Sequence, residues 1–416
     1  ARLADDVVDI GPASPADSYL RVEQIVAGAL LTGCDAVHPG YGFLAERPEL
    51  ADACAANGLT FVGPTAATIR RGGDKVAARA LARAAGVPTG AGSDAVEHTA
   101  AALAVADEIG YPVLIKAAAG GGGRGMVRID GPDELAERFV VAANEAAAAF
   151  GDGRLYLERL VERARHVEVQ LLADTHGNVV HLGDRDCSVQ RRFQKVVEEA
   201  PASALSDEQR ERLATAAVAL GRQLRYQGAG TVEFLVDLDR GDLSFLEVNT
   251  RIQVEHPVTE MVSGVDIVRE QLRIAAGRPL SFRQDEVAVA GHAIECRINA
   301  ESPTQGFLPT PGTITTWAPP TGEHVRLDTH AFEGYELPPF YDSLLAKLVV
   351  SGADRAAAIE NLRSALDGFD IGGVDTTLDL QRAIVAHPDF RDDEIDTRWL
   401  ETVLLPETLT IATGTE

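Results

Sequence analysis

Glu233 and Glu247 stand near the ends of two apolar runs, TVEFLV and LSFLEV, joined by DLDRGD. Gly241 and the acidic residues around it mark a turn, so the runs read as a hairpin that sets the two carboxylates side by side. Paired carboxylates repel unless a cation lies between them. Mg²⁺ or Mn²⁺ answers that need, because a hard cation takes carboxylate oxygens and leaves positions for water and phosphate. Asn249 offers another oxygen. Arg251, Gln253 and Glu255 follow with the same parity, and they project to one side if the run is extended. Arg251 can hold an oxyanion in its planar fork, and Glu255 is placed to act as a base. The competing reading is a structural ladder of salt bridges, but the run carries few residues able to pack.

Three further stretches could serve such a centre. YPVLIK ends on Lys116 and is followed at once by AAAGGGGRGM, residues 117–126. Consecutive glycines make a poor core strand, but their backbone N–H groups can wrap phosphate. The stretch lacks the spacing of a P-loop and of a dinucleotide fingerprint. Its place between YPVLIK and MVRI (126–129) favours a hairpin lid over a flexible linker. Lys75 lies in GDK, early in a helical stretch, and gains interest only beside Lys116. GDRDCSVQRRFQKVVEEAP (183–201) gathers Arg185, Arg191, Arg192 and Lys195 into a basic patch. A local anion site explains it; ion pairing with Glu198 and Glu199 is the alternative. HPGYGFLAERPEL (38–50) is a glycine-rich loop that carries Tyr41 and Glu46.

These groups need an α/β scaffold. Short strands alternate with helices from the start, with strands expected at 6–11 (DVVDIG) and 59–63 and one helical stretch over 65–85. Residues 155–160 and 166–172 read as two antiparallel strands, the second opening on His166. Helices are expected over 132–149, 207–225 and 258–276, with a strand at 292–301 and another carrying Arg326 at 325–328. Beyond Trp399 the chain looks like an edge strand or the start of a linker.

The bulk numbers set limits. At 416 residues, two or three domains are expected. Lys plus Arg total 38 against 63 for Asp plus Glu, a formal charge of -25 that repels nucleic acid and anionic membrane. An anionic substrate therefore needs a local basic site. The four cysteines form neither a CxxC pair nor a zinc cluster, which fits a reduced, cytoplasmic protein. No apolar run is long enough to span a membrane, and the N-terminus has no secretory pattern.

With these motifs in view, the sequence resembles the biotin carboxylase family, within the ATP-grasp fold. HPGYGFLAE (38–46), GDK (73–75), KAAAGGGGRGM (116–126), RHVEVQ (165–170), RDCSVQRRFQKVVEEAP (185–201), GTVEFLV (230–236) and FLEVNTRIQVEHPVTEM (245–261) carry the likeness, with HAIECRINAE and FLPTPG. The resemblance implies an N-terminal parallel-sheet domain at 1–62, a helical connector at 63–87 and a glycine-loop lid domain at 88–160. An ATP-grasp and antiparallel-sheet C-terminal region follows at 161–403, then a tail or linker at 404–416.

It also implies roles. Lys75, Lys116, His166 and Gln190 would contact ATP, with Gly122 and Gly123 in the closing loop. Glu158 and Arg159 would meet the adenine, and Val161, Leu235 and Leu246 would line its pocket. Glu233, Glu247 and Asn249 would hold Mg²⁺ or Mn²⁺. Lys195, Arg251, Gln253 and Val254 would form the bicarbonate and phosphate region, with Glu255 as general base. Arg326 would stabilise the enolate-like oxygen of biotin, and Tyr41 would lie near it. The implied chemistry joins bicarbonate to the γ-phosphate of ATP, giving carboxyphosphate, and then carboxylates biotin on a carrier domain. That is the first half-reaction of an acyl-CoA carboxylase, with a carboxyltransferase partner and a homodimer or larger complex expected.

Three departures from the family pattern stand out. The opening βαβ unit of relatives is not in this sequence, so the first domain is expected to be truncated. Phe193 stands where many relatives have His, and Ala119 replaces a lid glycine. A different ATP-grasp ligase, of the carbamoyl phosphate synthetase or purine-pathway carboxylase kind, fits RIQVEHPVTEM and RDCSVQRRFQK less well. A non-catalytic subunit is disfavoured by the full set of charged residues.

Overall fold

The hairpin that carries Glu233 and Glu247 forms as expected and sits at one edge of a large sheet. A computed structural model describes residues 4–119 and 125–407, so Gly122 and Gly123 lie outside the described residues. The N-terminal unit runs through α1 (Val22–Leu31), β1 (Ala36–Val37), α2 (Pro48–Ala56) and β2 (Thr60–Phe61), and the two short strands are parallel. DVVDIG forms no strand. Val7 is 71% exposed and no described strand pairs with the segment, so its backbone has no ladder to join. The loop of residues 38–50 leads from β1 into α2.

The single helix expected over 65–85 is two helices, α3 (Ala66–Gly73) and α4 (Lys75–Ala84). Asp74 separates them. Its extended backbone ends α3, and its carboxylate accepts the N–H of Ala77 as the cap of α4. Lys75 thereby becomes the first residue of α4, with its N–H donating to Ala118 O at 3.2 Å. The lid unit follows: α5 (Thr99–Ile109), β3 (Val113–Ala117), β4 (Met126–Ile129), α6 (Pro132–Phe150) and β5 (Leu155–Arg159). β3 lies between β4 and β5, antiparallel to both, which is the hairpin expected around the glycine stretch. α5 and α6 cover this sheet through Ala102, Ala106, Leu135 and Phe139 against Ile115 and Leu157.

β5 does not pair with the next strand. β6 (Ala164–Ala173) belongs to the large sheet, because it is buried along its whole length and needs partners on both sides. β7 (Val179–Arg191) and β8 (Gln194–Ala200) form a long hairpin across 183–201, turning at Arg192 and Phe193, both with positive φ. This splits the basic patch, since Arg185 is fully buried while Phe193 at the turn is 60% exposed. α7 (Asp207–Leu224) opens with a Ser206–Gln209 capping box and packs Leu213, Ala217 and Leu220 onto the sheet. β9 (Gly228–Asp237) and β10 (Leu243–Asn249) are the opening hairpin, with Glu247 opposite Glu233 just after a bulge.

The helix expected over 258–276 is interrupted. α8 (His256–Ser263) ends at Gly264 in the left-handed region, φ +70°, and Asp266 caps α9 (Ile267–Ala275). β11 (His292–Asn299) returns to the sheet. Four short strands follow, β12 (Glu301–Ser302), β13 (Leu308–Pro309), β14 (Gly312–Thr313) and β15 (Thr316–Ala318), then β16 (Val325–Thr329), β17 (Glu336–Leu337) and β18 (Leu344–Gly352). Among the described residues the large sheet has the order β10-β9-β6-β7-β8-β11-β18-β16, every neighbour antiparallel. α10 (Arg355–Asp367) and α11 (Leu378–Ala386) close its C-terminal end over Ile294, Cys296, Leu348 and Val350. Residues 400–404 are a π-helical turn rather than an edge strand, since Trp399, Leu400 and Leu404 are buried in that same core.

Candidate functional site

A cleft of about 1970 Å³ opens between the lid, the N-terminal unit and the large sheet. Lys75, Lys116, Glu158, Arg159, Val161, His166, Gln190, Leu235 and Leu246 line it on the side expected to take a nucleotide. Lys195, Glu233, Glu247, Asn249, Arg251, Gln253, Val254 and Glu255 line it too, with Tyr41. Sequence positions 41 to 255 therefore converge on one space. Arg326 is the exception among the described candidates. It lines a separate shallow groove with Glu260, and Glu260 and Asp328 clamp it at 2.6 and 2.9 Å. Asp328, not Arg326, faces the cleft.

Glu233 is the hub of the paired carboxylates. His166 Nε2 lies 2.9 Å from Oε2, while Asn249 Nδ2, Gln253 Nε2 and Lys195 Nζ donate to Oε1 at 2.7, 3.1 and 3.1 Å. Burial raises the proton affinity of the carboxyl, but Lys195 and His166 overcome it and hold Glu233 well below the usual carboxylate range. Glu247 is turned toward Lys75, with Oε2 2.7 Å from Nζ. Two carboxylates and an amide oxygen on adjacent strands are a hard donor set suited to Mg²⁺ or Mn²⁺. His166, Glu168 and Glu233 also come close enough to share an ion, but Lys195 already supplies a cation to both carboxylates.

Lys195 joins the two halves of the site. Its Nζ donates to Glu255 Oε1 and Glu168 Oε2 at 2.6 Å each, besides Glu233. Burial disfavours the ammonium, yet Glu168, Glu233 and Glu255 hold its pKa well above the ordinary lysine value. Glu255 is fully buried at the N-terminus of α8. Burial raises it, while Lys195, Arg297 and Arg185 pull it well below the carboxylate range. Arg251 reaches Gln253 Oε1 at 2.6 Å and Asn249 Oδ1 at 3.3 Å, and Glu46 Oε2 accepts from its Nε at 2.9 Å. The alternating run thus converges as expected, although it bends at residues 250–255 instead of staying a strand.

On the side of the cleft nearest the lid, Lys116 Nζ donates to Glu158 Oε2 at 2.5 Å, and Arg79 Nη1 to the other oxygen at 2.7 Å. Phe193 and Ala119 both line the cleft.

Sequence reasoning missed Glu168 and Arg297, and it did not foresee the partners of Arg185 and Glu198. The basic patch does not pair with Glu198 and Glu199. Arg185 binds Glu168 at 2.6 Å, Glu198 is held by Arg297, and Glu199 by His292 and Arg355. A signal existed: Glu168 in HVEVQLL and Glu295 with Arg297 in HAIECRIN are charged residues at alternating positions of apolar strands.

Three family models tile the chain: "Biotin carboxylase, N-terminal domain" over residues 1–69, "Carbamoyl-phosphate synthase L chain, ATP binding domain" over 74–283 and "Biotin carboxylase C-terminal domain" over 295–402. The biotin carboxylase of Nostoc sp. is 50% identical over 401 residues, 96% of this chain and 90% of its own. The chain belongs to the biotin carboxylase family. Biotin carboxylase 1 of Bacillus subtilis is 48% identical, over 96% of this chain and 89% of its own. The biotin carboxylase of Campylobacter jejuni in complex with β,γ-ATP superposes with a TM-score of 0.93 at 44% identity, over 96% of this chain and 89% of its own. The biotin carboxylase domain dimer of Hydrogenobacter thermophilus 2-oxoglutarate carboxylase, with MgADP, ADP and bicarbonate, does so at 0.91 and 47%, over 96% and 88%. Like other biotin carboxylases, the chain is an ATP-dependent ligase that carboxylates biotin.

Proposed function

We propose that the cleft performs both steps of biotin carboxylation, with bicarbonate activated between Glu255 and Arg251. The observation that supports this most directly is Lys195, which bridges Glu233 and Glu255 and so ties a metal-side carboxylate to the base. Glu233, Glu247 and Asn249 are the residues that would hold Mg²⁺ or Mn²⁺. The metal, when bound, neutralises charge on the β- and γ-phosphates. Lys75 and Lys116 add positive charge there, and Glu247 must leave Lys75 to meet a metal.

Arg251 and Gln253 orient bicarbonate beside the γ-phosphate, and Val254 completes that wall. Glu255 takes its proton as an oxygen of bicarbonate bonds to phosphorus and the bond to the ADP oxygen breaks. Carboxyphosphate hydrolyses readily, so closure of the lid, with Gly122 and Gly123 in its loop, excludes water. Carboxyphosphate then releases CO₂ and phosphate, the released phosphate takes the proton of the biotin N1 nitrogen, and N1 attacks CO₂. Tyr41 flanks that end, and Arg326 stabilises the ureido oxygen once Glu260 and Asp328 yield it. Glu158, Arg159, Val161, Leu235 and Leu246 receive the adenine, with His166 and Gln190 beside the ribose and phosphates.

The biotin arrives on a carrier domain, and a carboxyltransferase partner takes the carboxyl group onward. A homodimer is proposed from the Hydrogenobacter domain dimer. The free state of all four cysteines supports a cytoplasmic setting, and no helix of the described chain is long and apolar enough to cross a membrane. The test is ADP release as a function of bicarbonate and free biotin. Dependence on both is expected, and Glu255→Gln should abolish it while ATP still binds. Coupled turnover in that variant would remove Glu255 from the base role.

A further inference from the structure

Glu158 on β5 lines the cleft where the adenine is proposed to lie, and each of its carboxylate oxygens is held by a different cation. Lys116 on β3 takes Oε2 at 2.5 Å, and Arg79 on α4 takes Oε1 at 2.7 Å. Lys116 also lines the cleft. Arg79 does not: it is 3% exposed and sits behind Glu158. No step proposed above uses it.

The chain around Arg79 is shaped to hold it. Lys75 and Arg79 lie four residues apart on α4 and so share one face, the first reaching Glu247 and the second Glu158. Arg79 Nη2 donates to Gly90 O, so both prongs of the fork are engaged. Gly92 pairs with Glu158 as an isolated bridge. A Cβ on Gly92 would lie 2.7 Å from Arg79 Nη2 and 2.7 Å from Leu157 O, closer than a carbon can come, so glycine at 92 leaves the room that the guanidinium occupies. Arg79 Nε is buried without a partner. An aliphatic side chain would fill this space without that cost, so packing alone does not account for an arginine here.

A carboxylate accepts hydrogen bonds and donates none. Pinned at both oxygens, the carboxylate of Glu158 still has lone pairs for a ligand, and a base that meets it must present a donor. The exocyclic amine of a 6-aminopurine is such a donor. A 6-oxopurine presents a carbonyl oxygen at the same position and sets acceptor against acceptor. We propose that Arg79 is a specificity-determining positioning residue: by fixing Glu158 as an acceptor, it makes the cleft select a 6-aminopurine nucleotide over a 6-oxopurine one. The proposal rests on the reading that Glu158 meets the adenine. Lys116 alone does not suffice for this. It is a single ammonium on a flexible stem, and a ligand phosphate in the cleft competes for it. Arg79 is anchored at Gly90 outside the cleft, where no ligand draws it off.

The experiment compares ATP with ITP as nucleotide substrate on the full chain, reading bicarbonate- and biotin-dependent diphosphate release. The native protein should favour ATP in kcat/KM by tenfold or more, and a native ratio near one overturns the proposal whatever the variants do. Arg79→Leu should lower that ratio by about tenfold, chiefly through the KM of ATP. Gly92→Ala, which displaces the guanidinium without removing its charge, should move the ratio the same way, and it decides the matter if Arg79→Leu does not fold. Rates that fall equally for both nucleotides, with the ratio kept, mark a merely structural role and overturn the proposal. Glu158→Gln tests the reading beneath it, because the amide can also donate to a 6-oxo group and should narrow the ratio. If Glu158→Gln leaves the ratio unchanged, Glu158 does not meet the base. If it narrows the ratio while Arg79→Leu and Gly92→Ala do not, the role of Arg79 alone fails.

Discussion

Glu46 accepts a hydrogen bond from Arg251 across a gap of 205 residues, Oε2 to Nε at 2.9 Å, while its other oxygen accepts the N–H of Thr250 at 3.0 Å. One carboxylate of the N-terminal unit thus fixes both the side chain and the backbone of the run proposed to handle bicarbonate. Removing it frees Arg251 without touching the nucleotide lysines.

Glu46→Gln should therefore raise the KM for bicarbonate and leave the KM for ATP nearly unchanged. The pair is partly exposed, so its contribution is about 1 kcal/mol, roughly fivefold in KM. Steady-state kinetics with each substrate varied in turn will show it. An equal rise in both constants would place Glu46 in general stability instead.

Arg185 is fully buried beneath the site and spends its donors on Glu168, Gln170, Thr259 and Thr231 at 2.6 to 3.1 Å. Arg185→Leu leaves Glu168 without one of its two cations and three polar groups without a donor. A loss of about 3–5 kcal/mol in unfolding free energy is expected. Denaturant titration measures it, and a loss below about 1 kcal/mol would show that Lys195 alone satisfies Glu168.

His256 is held neutral. Burial drives its pKa down first, helped by Lys347, to about 3 from an ordinary 6.5, and its Nδ1–H donates to Gln253 O at 2.8 Å. Between those two values the unfolded chain binds a proton that the folded chain refuses. Stability is thus fully present above pH 6.5 and falls as pH drops toward 3, by up to about 1.4 kcal/mol per pH unit. His256→Asn should flatten this part of the melting-temperature profile. A slope that persists unchanged would assign the acid sensitivity to other groups.

Asp74 both caps α4 and binds Arg154 of the lid unit at 3.0 Å. Asp74→Ala should cost about 1 kcal/mol from the lost cap. Because Lys75 is the first residue of α4, the same change should weaken ATP binding more than bicarbonate use. Nucleotide titration by calorimetry separates the two effects.

How much of this was legible depended on distance along the chain. The β9–β10 hairpin needs only a turn and two alternating runs, all within 231–249, so the facing of Glu233 and Glu247 could be read directly. The register pairing of Glu198 with Glu295 could not. Periodicity says which face a residue takes, but not which strand lies beside it, and β8 and β11 come from segments nearly a hundred residues apart. For the same reason β5 and β6, neighbours in sequence, were paired with each other although each belongs to a different sheet. The break at Asp74 was written locally in GGDK, where two glycines end one helix and an acidic cap starts the next, but the apolar pattern runs through it. Arg326 has a plain strand around it, and only the folded structure reveals the two carboxylates that hold it.

The large sheet runs without interruption from the strand of Glu247 to the strand of Arg326. Glu233 and Glu247, proposed above to serve ATP, and Arg326, proposed to serve biotin, are consequently bolted to one plate. Their separation is a fixed dimension of the enzyme, insensitive to whether the lid is raised or lowered. If biotin arrives on a carrier as proposed, what must travel is the carrier's tether, and its reach has to suit a span that this sheet determines.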